Sequence, residues 1–384
     1  MNNFNYDIPT KIIFGENSID KLSEVLKNYK NILLVYGGGS IKKIGLYDKI
    51  YEILKDKNIF ECSGVEPNPR KESVDKGARI CKENNIEAVL AVGGGSVIDC
   101  SKVIAACAKT DACCWDLVKR KVPVGEVLPI YSVLTLSATG SEMDGGAVIT
   151  NLETKEKQSI GNYRMIPTCS ILDPTYTFTV SKYQTAAGSI DIFSHLCEVY
   201  FDHKLDAFIT DRMIEGLLKT IIHYAPIAVK DPTNYEARSN LMWTSSLAIN
   251  GLMECGKEGC AWSCHPMEHS LSAYYDITHG TGLAILTPNW MEYILDEDTL
   301  DRFYVYGCNV WNLQGDKMSV AKEAIKLTKQ FFKDLEIPTT LTEVNIDETH
   351  FEDMAKKACY ANGHIYGFKT LNVNDVINIY KKSL

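Results

Sequence analysis

The chain has 384 residues and carries 40 lysines and arginines against 49 aspartates and glutamates, a formal net charge of −9. That length suits two domains of about 100–200 residues each, and the acidic balance argues against nucleic acid or an anionic membrane surface as the main partner. No apolar run approaches the roughly 20 residues of a membrane helix, and the opening MNNFNYDIPTKIIFG lacks a basic-then-apolar leader, so a soluble cytoplasmic protein is expected.

Along the chain, NILLVYGGGS (31–40) and AVLAVGGGSVIDCSK (88–102) each read as a buried strand ending in glycines. The polar, periodic stretch KESVDKGARICKENN (71–85) between them reads as a helix, and shorter apolar runs follow at 127–135 and 169–174. Strand and helix in alternation predict a parallel sheet with helices on its faces. After about residue 180 the pattern changes. AFITDRMIEGLLKTIIHYAPIAV (207–229) and DKMSVAKEAIKLTKQFFKDL (316–335) place apolar residues three and four apart. The expected fold is an α/β domain over 1–180 followed by an all-α domain over 181–384.

Thirteen cysteines include no C-x-x-C pair. Cys255, Cys260 and Cys264 lie close together, as do Cys113 and Cys114, and in a reducing compartment most of the thirteen are expected to be small buried hydrophobes.

The two glycine turns carry the first chemistry. Gly93, Gly94, Gly95 and Ser96 stand where a strand hands over to a helix, and open N–H groups at a helix start suit a phosphate. The run is not a full G-x-G-x-x-G, because Ile98 occupies the last glycine position. At the end of the earlier strand, many dinucleotide folds carry an acid that holds the adenosine ribose. Here Gly38, Gly39 and Ser40 stand there, with Lys42 and Lys43 just beyond. That combination suits a 2′-phosphate and predicts NADP(H) over NAD(H), with NAD(H) still possible.

Three of the eight histidines fall within WSCHPMEHSLSAYYDITHG, residues 262–280. His265 and His269 are four apart and share a helix face, as do Asp191 and His195 in AAGSIDIFSH; His279 begins a further segment. Two such pairs on facing helices can close on one cation. Nitrogen and oxygen donors suit Fe(II) or Zn(II), and four ligands at most leave room for a substrate oxygen. Spacing leaves open which of the five residues is the one left over. His203, His223 and His350 are expected to be structural, and His364 in NGHIYGF could line a pocket mouth.

Taken together, GGGSVIDCSK, LSATGSEMD, AAGSIDIFSH and CHPMEHSLSAYYDITHGTGLAI resemble the iron-containing (group III) alcohol dehydrogenase family. YDIPTKIIFG, GVEPNP and NLMWTSSLAINGL resemble its butanol dehydrogenase branch most, and the resemblance runs almost end to end. It implies an N-terminal dinucleotide-binding (Rossmann-like) domain and a helical C-terminal domain, with the active site in the interdomain cleft. It also implies a divalent metal, Fe(II) before Zn(II), on Asp191, His195, His265 and His279, with His269 as the non-ligand histidine near the nicotinamide and the expected catalytic proton relay. For the cofactor it implies Gly94, Gly95 and Ser96 at the pyrophosphate, Asp99 just after, Asn68 near a ribose, Thr135 and Thr139 near phosphates and nicotinamide, and Lys157 near the nicotinamide ribose. GGGS at 37–40 is similar to the family's NADP-preferring members.

The chain departs from the pattern at Ser181–Lys182, which bears on the domain boundary, and at DGGAVIT (144–150) and NGHIYGFKTL, which bear on the pocket wall and substrate preference. The reaction so implied is reduction of a small aldehyde such as butanal to its alcohol, and the reverse. Polyol oxidation, reduction of an activated double bond, or a nucleotide- or metal-binding protein without turnover are the alternatives. The β-like start FNYDIPTKIIFG reads as an edge strand able to pair with a second copy, so a homodimer is expected.

Overall fold

The structure, a computed structural model, describes residues 1–258 and 262–384; Cys260 lies outside the described residues. The chain forms two compact units, one of residues 7–180 with 232–246, the other of residues 1–6, 181–231 and 247–384.

The first unit is built on a six-stranded sheet in the order β1-β8-β5-β4-β2-β3. Its strands are β1 (Lys11–Phe14), β2 (Asn31–Tyr36), β3 (Asn58–Ser63), β4 (Ala88–Gly93), β5 (Ile130–Leu134) and β8 (Cys169–Leu172), and every pairing is parallel. A sheet covered on both faces needs apolar residues at both parities, and the sequence supplies them. Leu33, Val35, Val89 and Ala91 point to one side, where helices Lys71–Glu83 and Gly95–Cys107 bring Val74, Ala78, Ile98 and Val103. Ile32, Leu34, Leu90 and Val92 point to the other, against Leu22, Leu26, Ile41 and Ile50. An antiparallel hairpin of β6 (Gly146–Asn151) and β7 (Glu156–Gly161) adds Ala147, Ile149 and Ile160 to the first of these cores. The expected edge strand is present: β1 sits at the end of the sheet and pairs only with β8, Lys11 opposite Cys169.

The second unit is helical, as the change of period near residue 180 predicted, with one exception. His364–Ile365 and Leu371–Asn372 form a short antiparallel ladder. Two-residue strands, the first beginning just after the left-handed Gly363, are too brief to leave a period in the sequence. Helix Lys182–Tyr200 is buried continuously from Thr185 to Tyr200. A buried ionic network holds its far end. Arg302 donates to Asp211 Oδ2 at 2.7 Å, to Asp202 Oδ1 at 2.8 Å and to the Asp202 carbonyl at 3.0 Å, while Lys257 Nζ donates to Asp211 Oδ1 at 2.6 Å. Charges out of water persist only in such paired, hydrogen-bonded groups. Among the described cysteines, all but Cys113 and Cys308 are buried and none is bridged.

Candidate metal centre and cofactor turns

Asp191 and His195 lie one turn apart on helix Lys182–Tyr200 and so share its face. His265 and His269 do the same on helix Cys264–Tyr275, where Pro266 is tolerated because it falls in the first turn. That helix stops at Asp276, left-handed at φ 51°, and His279 is the first residue of the next helix, His279–Ile294. Gly280 brings this start against helix Lys182–Tyr200: a Cβ at 280 would stand 2.0 Å from the Ala187 carbonyl oxygen. Only glycine allows so close an approach.

The result is a convergence on one oxygen. Asp191 Oδ1 lies 3.5 Å from His195 Nε2, 3.8 Å from His265 Nε2 and 3.5 Å from His279 Nε2. Asp191, His195 and His265 are 2, 4 and 6 % exposed. Asp191 Oδ1 and His265 Nε2 are buried with no hydrogen-bond partner, a costly state unless something else satisfies them. A tetrahedral cation with ligand distances of about 2.1 Å puts its donors about 3.4 Å apart, close to what is seen. Asp191, His195 and His265 bring their donor atoms within 4.8 Å of one another and fit a divalent metal in donor type, spacing and orphaned lone pairs; His279 joins them through its Nε2, 3.5 Å from Asp191 Oδ1, while its ring also falls in a second group with Glu268 and His269. His269 stands beside them, half-buried, its ring centroid 5.6 Å from that of His279 and 6.1 Å from that of His265.

Electrostatics follow the burial. Burial opposes the Asp191 carboxylate, but the imidazoles of His195, His279 and His265 hold its pKa well below the usual range. Burial brings His195 down to about 4. It works the same way on His265, yet the Glu198 and Asp191 carboxylates push that ring up to about 9.

Two carboxylates in this site escaped the sequence reading. Glu198 accepts N–H groups from Ser263, Cys264 (3.1 Å) and His265 (3.0 Å), and the His265 Nδ1 lies 2.6 Å away. It thereby caps the ligand helix from a neighbouring helix, satisfying donors that Ser263 does not cap with its own side chain. Glu268 is hydrogen-bonded to the His279 Nδ1 and to the Ser272 hydroxyl. Glu198 had a signal: it follows Asp191 by seven and His195 by three, on the same face. Glu268, three residues after His265 and next to His269, carries no comparable signal.

The residues expected at the cofactor all lie in the first unit. Gly93 ends β4, and helix Gly95–Cys107 starts with Gly94 as its cap. The N–H groups of Val97 and Ile98 both bond to the Gly94 carbonyl, which leaves the Gly95 and Ser96 amides at the helix mouth for an anion. Thr135, at the end of β5, donates its N–H to Gly93 O at 3.0 Å, and a Cβ on Gly95 would lie 2.2 Å from Thr139 Oγ1. Gly94, Gly95, Ser96, Thr135 and Thr139 are thus neighbours. Asp99 turns inward: Ser141 Oγ donates to it at 2.6 Å and the Val148 N–H at 2.8 Å. Asn68 is left-handed at φ 53° and buried, and Lys157 lies buried in β7.

Gly38, Gly39 and Ser40 follow β2, but Lys42 is engaged. Its Nζ lies 4.4 Å from the Tyr47 ring centroid and 5.3 Å from that of Tyr36. The hydroxyls of Tyr36, Tyr47 and Tyr51 donate to Glu61 at 2.6, 2.6 and 2.5 Å.

Comparison with known proteins bears the resemblance out. Residues 9–174 match the family described as iron-containing alcohol dehydrogenase, and residues 185–384 match the Fe-containing alcohol dehydrogenase family, C-terminal. The chain is 56 % identical to NADH-dependent butanol dehydrogenase A of Clostridium acetobutylicum, over 100 % of both. It is 38 % identical to the NADPH-dependent aldehyde reductase YqhD of Escherichia coli, over 93 % of each. The crystal structure of NADH-dependent butanol dehydrogenase A from Thermotoga maritima superposes with a TM-score of 0.96 at 38 % identity, covering 100 % of this chain and 99 % of that one. Along its length and through both of its units, the chain belongs to the iron-containing alcohol dehydrogenase family.

Proposed function

We propose that this enzyme interconverts short- to medium-chain aldehydes, such as butanal, and their primary alcohols, with a divalent metal and a nicotinamide cofactor. The observation that carries the proposal is the convergence of three imidazole nitrogens on Asp191 Oδ1 within 3.8 Å. Asp191, His195, His265 and His279 would hold the ion, Fe(II) by family and Zn(II) by donor chemistry. When bound, it supplies Lewis-acid polarisation of a carbonyl; the cofactor supplies the hydride.

The chain's own residues do the rest. The open amides at Gly95 and Ser96 hold the pyrophosphate, and Thr135 and Thr139 line the same turn. Asp99 shapes that turn through Ser141 and Val148 rather than by reaching outward. Asn68 and Lys157 are proposed at the two ribose ends. His269, next to His279 and more exposed than the three histidines' Asp191 partner, relays a proton to or from the substrate oxygen.

The preference for NADP(H) drawn from GGGS needs weighing against two findings. Lys42 rests on Tyr36 and Tyr47 beside Glu61, and relatives at 56 and 52 % identity are named NADH-dependent. We therefore favour NADH, with NADPH accepted because no acid stands at Gly38–Ser40. The homodimer remains part of the proposal, through the free edge of β1. Anaerobic purification, elemental analysis and NADH and NADPH rates on aldehydes of rising chain length test the reading. A metal-loaded protein that oxidises neither cofactor with butanal overturns it.

A further inference from the structure

The three histidines around Asp191 are not held equally. His195 is in mid-helix, stacked on His265 with ring centroids 4.7 Å apart and 4 % exposed. His265 is clamped through its own backbone N–H and its Nδ1 by Glu198. His279 begins a helix directly after a turn, and its side chain is 22 % exposed. Of the three rings it is the most open to solvent, and so the one that most needs a partner to orient it.

Glu268 meets that need. Its side chain is fully buried. One oxygen, Oε2, bonds to His279 Nδ1, and the other, Oε1, takes the Ser272 hydroxyl. Ser272 Oγ lies also 3.3 Å from the Ile277 carbonyl, so the pair spans the turn that delivers His279. Gly282 makes room, since a Cβ there would come within 2.7 Å of Glu268 Cγ. A carboxylate on Nδ1 fixes the imidazole in the tautomer whose Nε2 carries the lone pair, and Nε2 is the atom 3.5 Å from Asp191 Oδ1.

We infer that Glu268 is a positioning residue: by tethering His279 through Nδ1 it aims Nε2 at the Asp191 oxygen and sets how tightly the site holds a divalent cation. The inference rests on the metal reading above, and goes beyond it in assigning a role to a residue outside the proposed ligand set. Glu268→Asp keeps the charge and withdraws the carboxylate by one methylene; Glu268→Gln keeps the reach and loses the charge.

The test is competition between a chelator and the metal-free protein for Co²⁺ and Zn²⁺, beside the thermal midpoint of each metal-free variant. Glu268→Asp is expected to bind about 10- to 100-fold more weakly, Glu268→Gln to lose less because its amide oxygen still accepts from Nδ1–H, and both to melt with wild type. His279→Ala gives the loss when the ligand itself is gone. Glu268→Asp binding within twofold of wild type overturns the tether and leaves a charge effect only. A loss of affinity that follows a lowered metal-free midpoint overturns it in favour of a structural staple. Wild type that binds neither ion refutes the metal reading itself, which is a different result.

Discussion

Asp191 Oδ1 and His279 Nε2 stand 3.5 Å apart, although one lies in mid-helix and the other opens a helix far down the chain. Their meeting underlies the proposed division of the histidines into the ligands His195, His265 and His279 and the neighbour His269. His265→Ala and His279→Ala are expected to purify without metal. His269→Ala should keep near wild-type metal and lose turnover, by about 10²–10⁴-fold if it transfers the proton. Elemental analysis beside kcat decides; equal metal in the His265 and His269 variants refutes the division.

Gly280 lets the His279 helix touch Ala187. In Gly280→Ala the new methyl would meet the Ala187 carbonyl at 2.0 Å, and backbone cannot step aside as a side chain can. A loss of about 1–3 kcal/mol in urea unfolding is expected, together with weaker metal binding. Gly216→Ala is the control. It lies inside helix Phe208–Lys230 with nothing within 4 Å of the added Cβ, so a gain of about 0.5–1 kcal/mol is expected there.

Lys42 lies over Tyr36, at the end of β2, and Tyr47, in helix Leu46–Ile53, and the hydroxyls of both donate to Glu61. Burial works against the charge of Glu61, but three tyrosine hydroxyls lower its pKa and keep it ionised. Removing the charge in Glu61→Gln frees Lys42 for a 2′-phosphate. The ratio of kcat/KM for NADPH over NADH should rise about two- to five-fold, the range of an exposed ion pair. Lys42→Ala in the same background should cancel the rise. An unchanged ratio in Glu61→Gln removes Lys42 from cofactor choice.

Glu142 is a buried acid in the loop that carries Thr139. Burial pushes its carboxyl up to about 7, Ser246 donates to Oε1, and Oε2 has no partner. Its folded pKa lies above the ordinary 4.5, so across that window the folded chain keeps a proton the unfolded chain has released. Stability is then full below about pH 4.5 and falls as pH rises towards 7. Glu142→Gln mimics the protonated acid and should flatten this fall, its thermal midpoint gaining on wild type from pH 5 to pH 8. Parallel midpoints across that range show the acid to be ionised in the fold.

Much of this was legible in the sequence because it is local. A strand buried on both faces needs an unbroken apolar run, and NILLVY and AVLAVG are such runs; a helix face repeats every three or four residues, and Asp191 with His195 obeys that spacing. Glycines at strand ends marked the turns where amides open. What tertiary structure alone decided is which distant groups meet. No period in the chain tells that Glu198 caps the helix of His265, that Glu268 reaches His279 through the space left by Gly282, or that Lys42 lies over the rings of Tyr36 and Tyr47. Those pairings depend on how helices pack against one another, and packing is set by the fit of side chains from separate segments, which local spacing does not record.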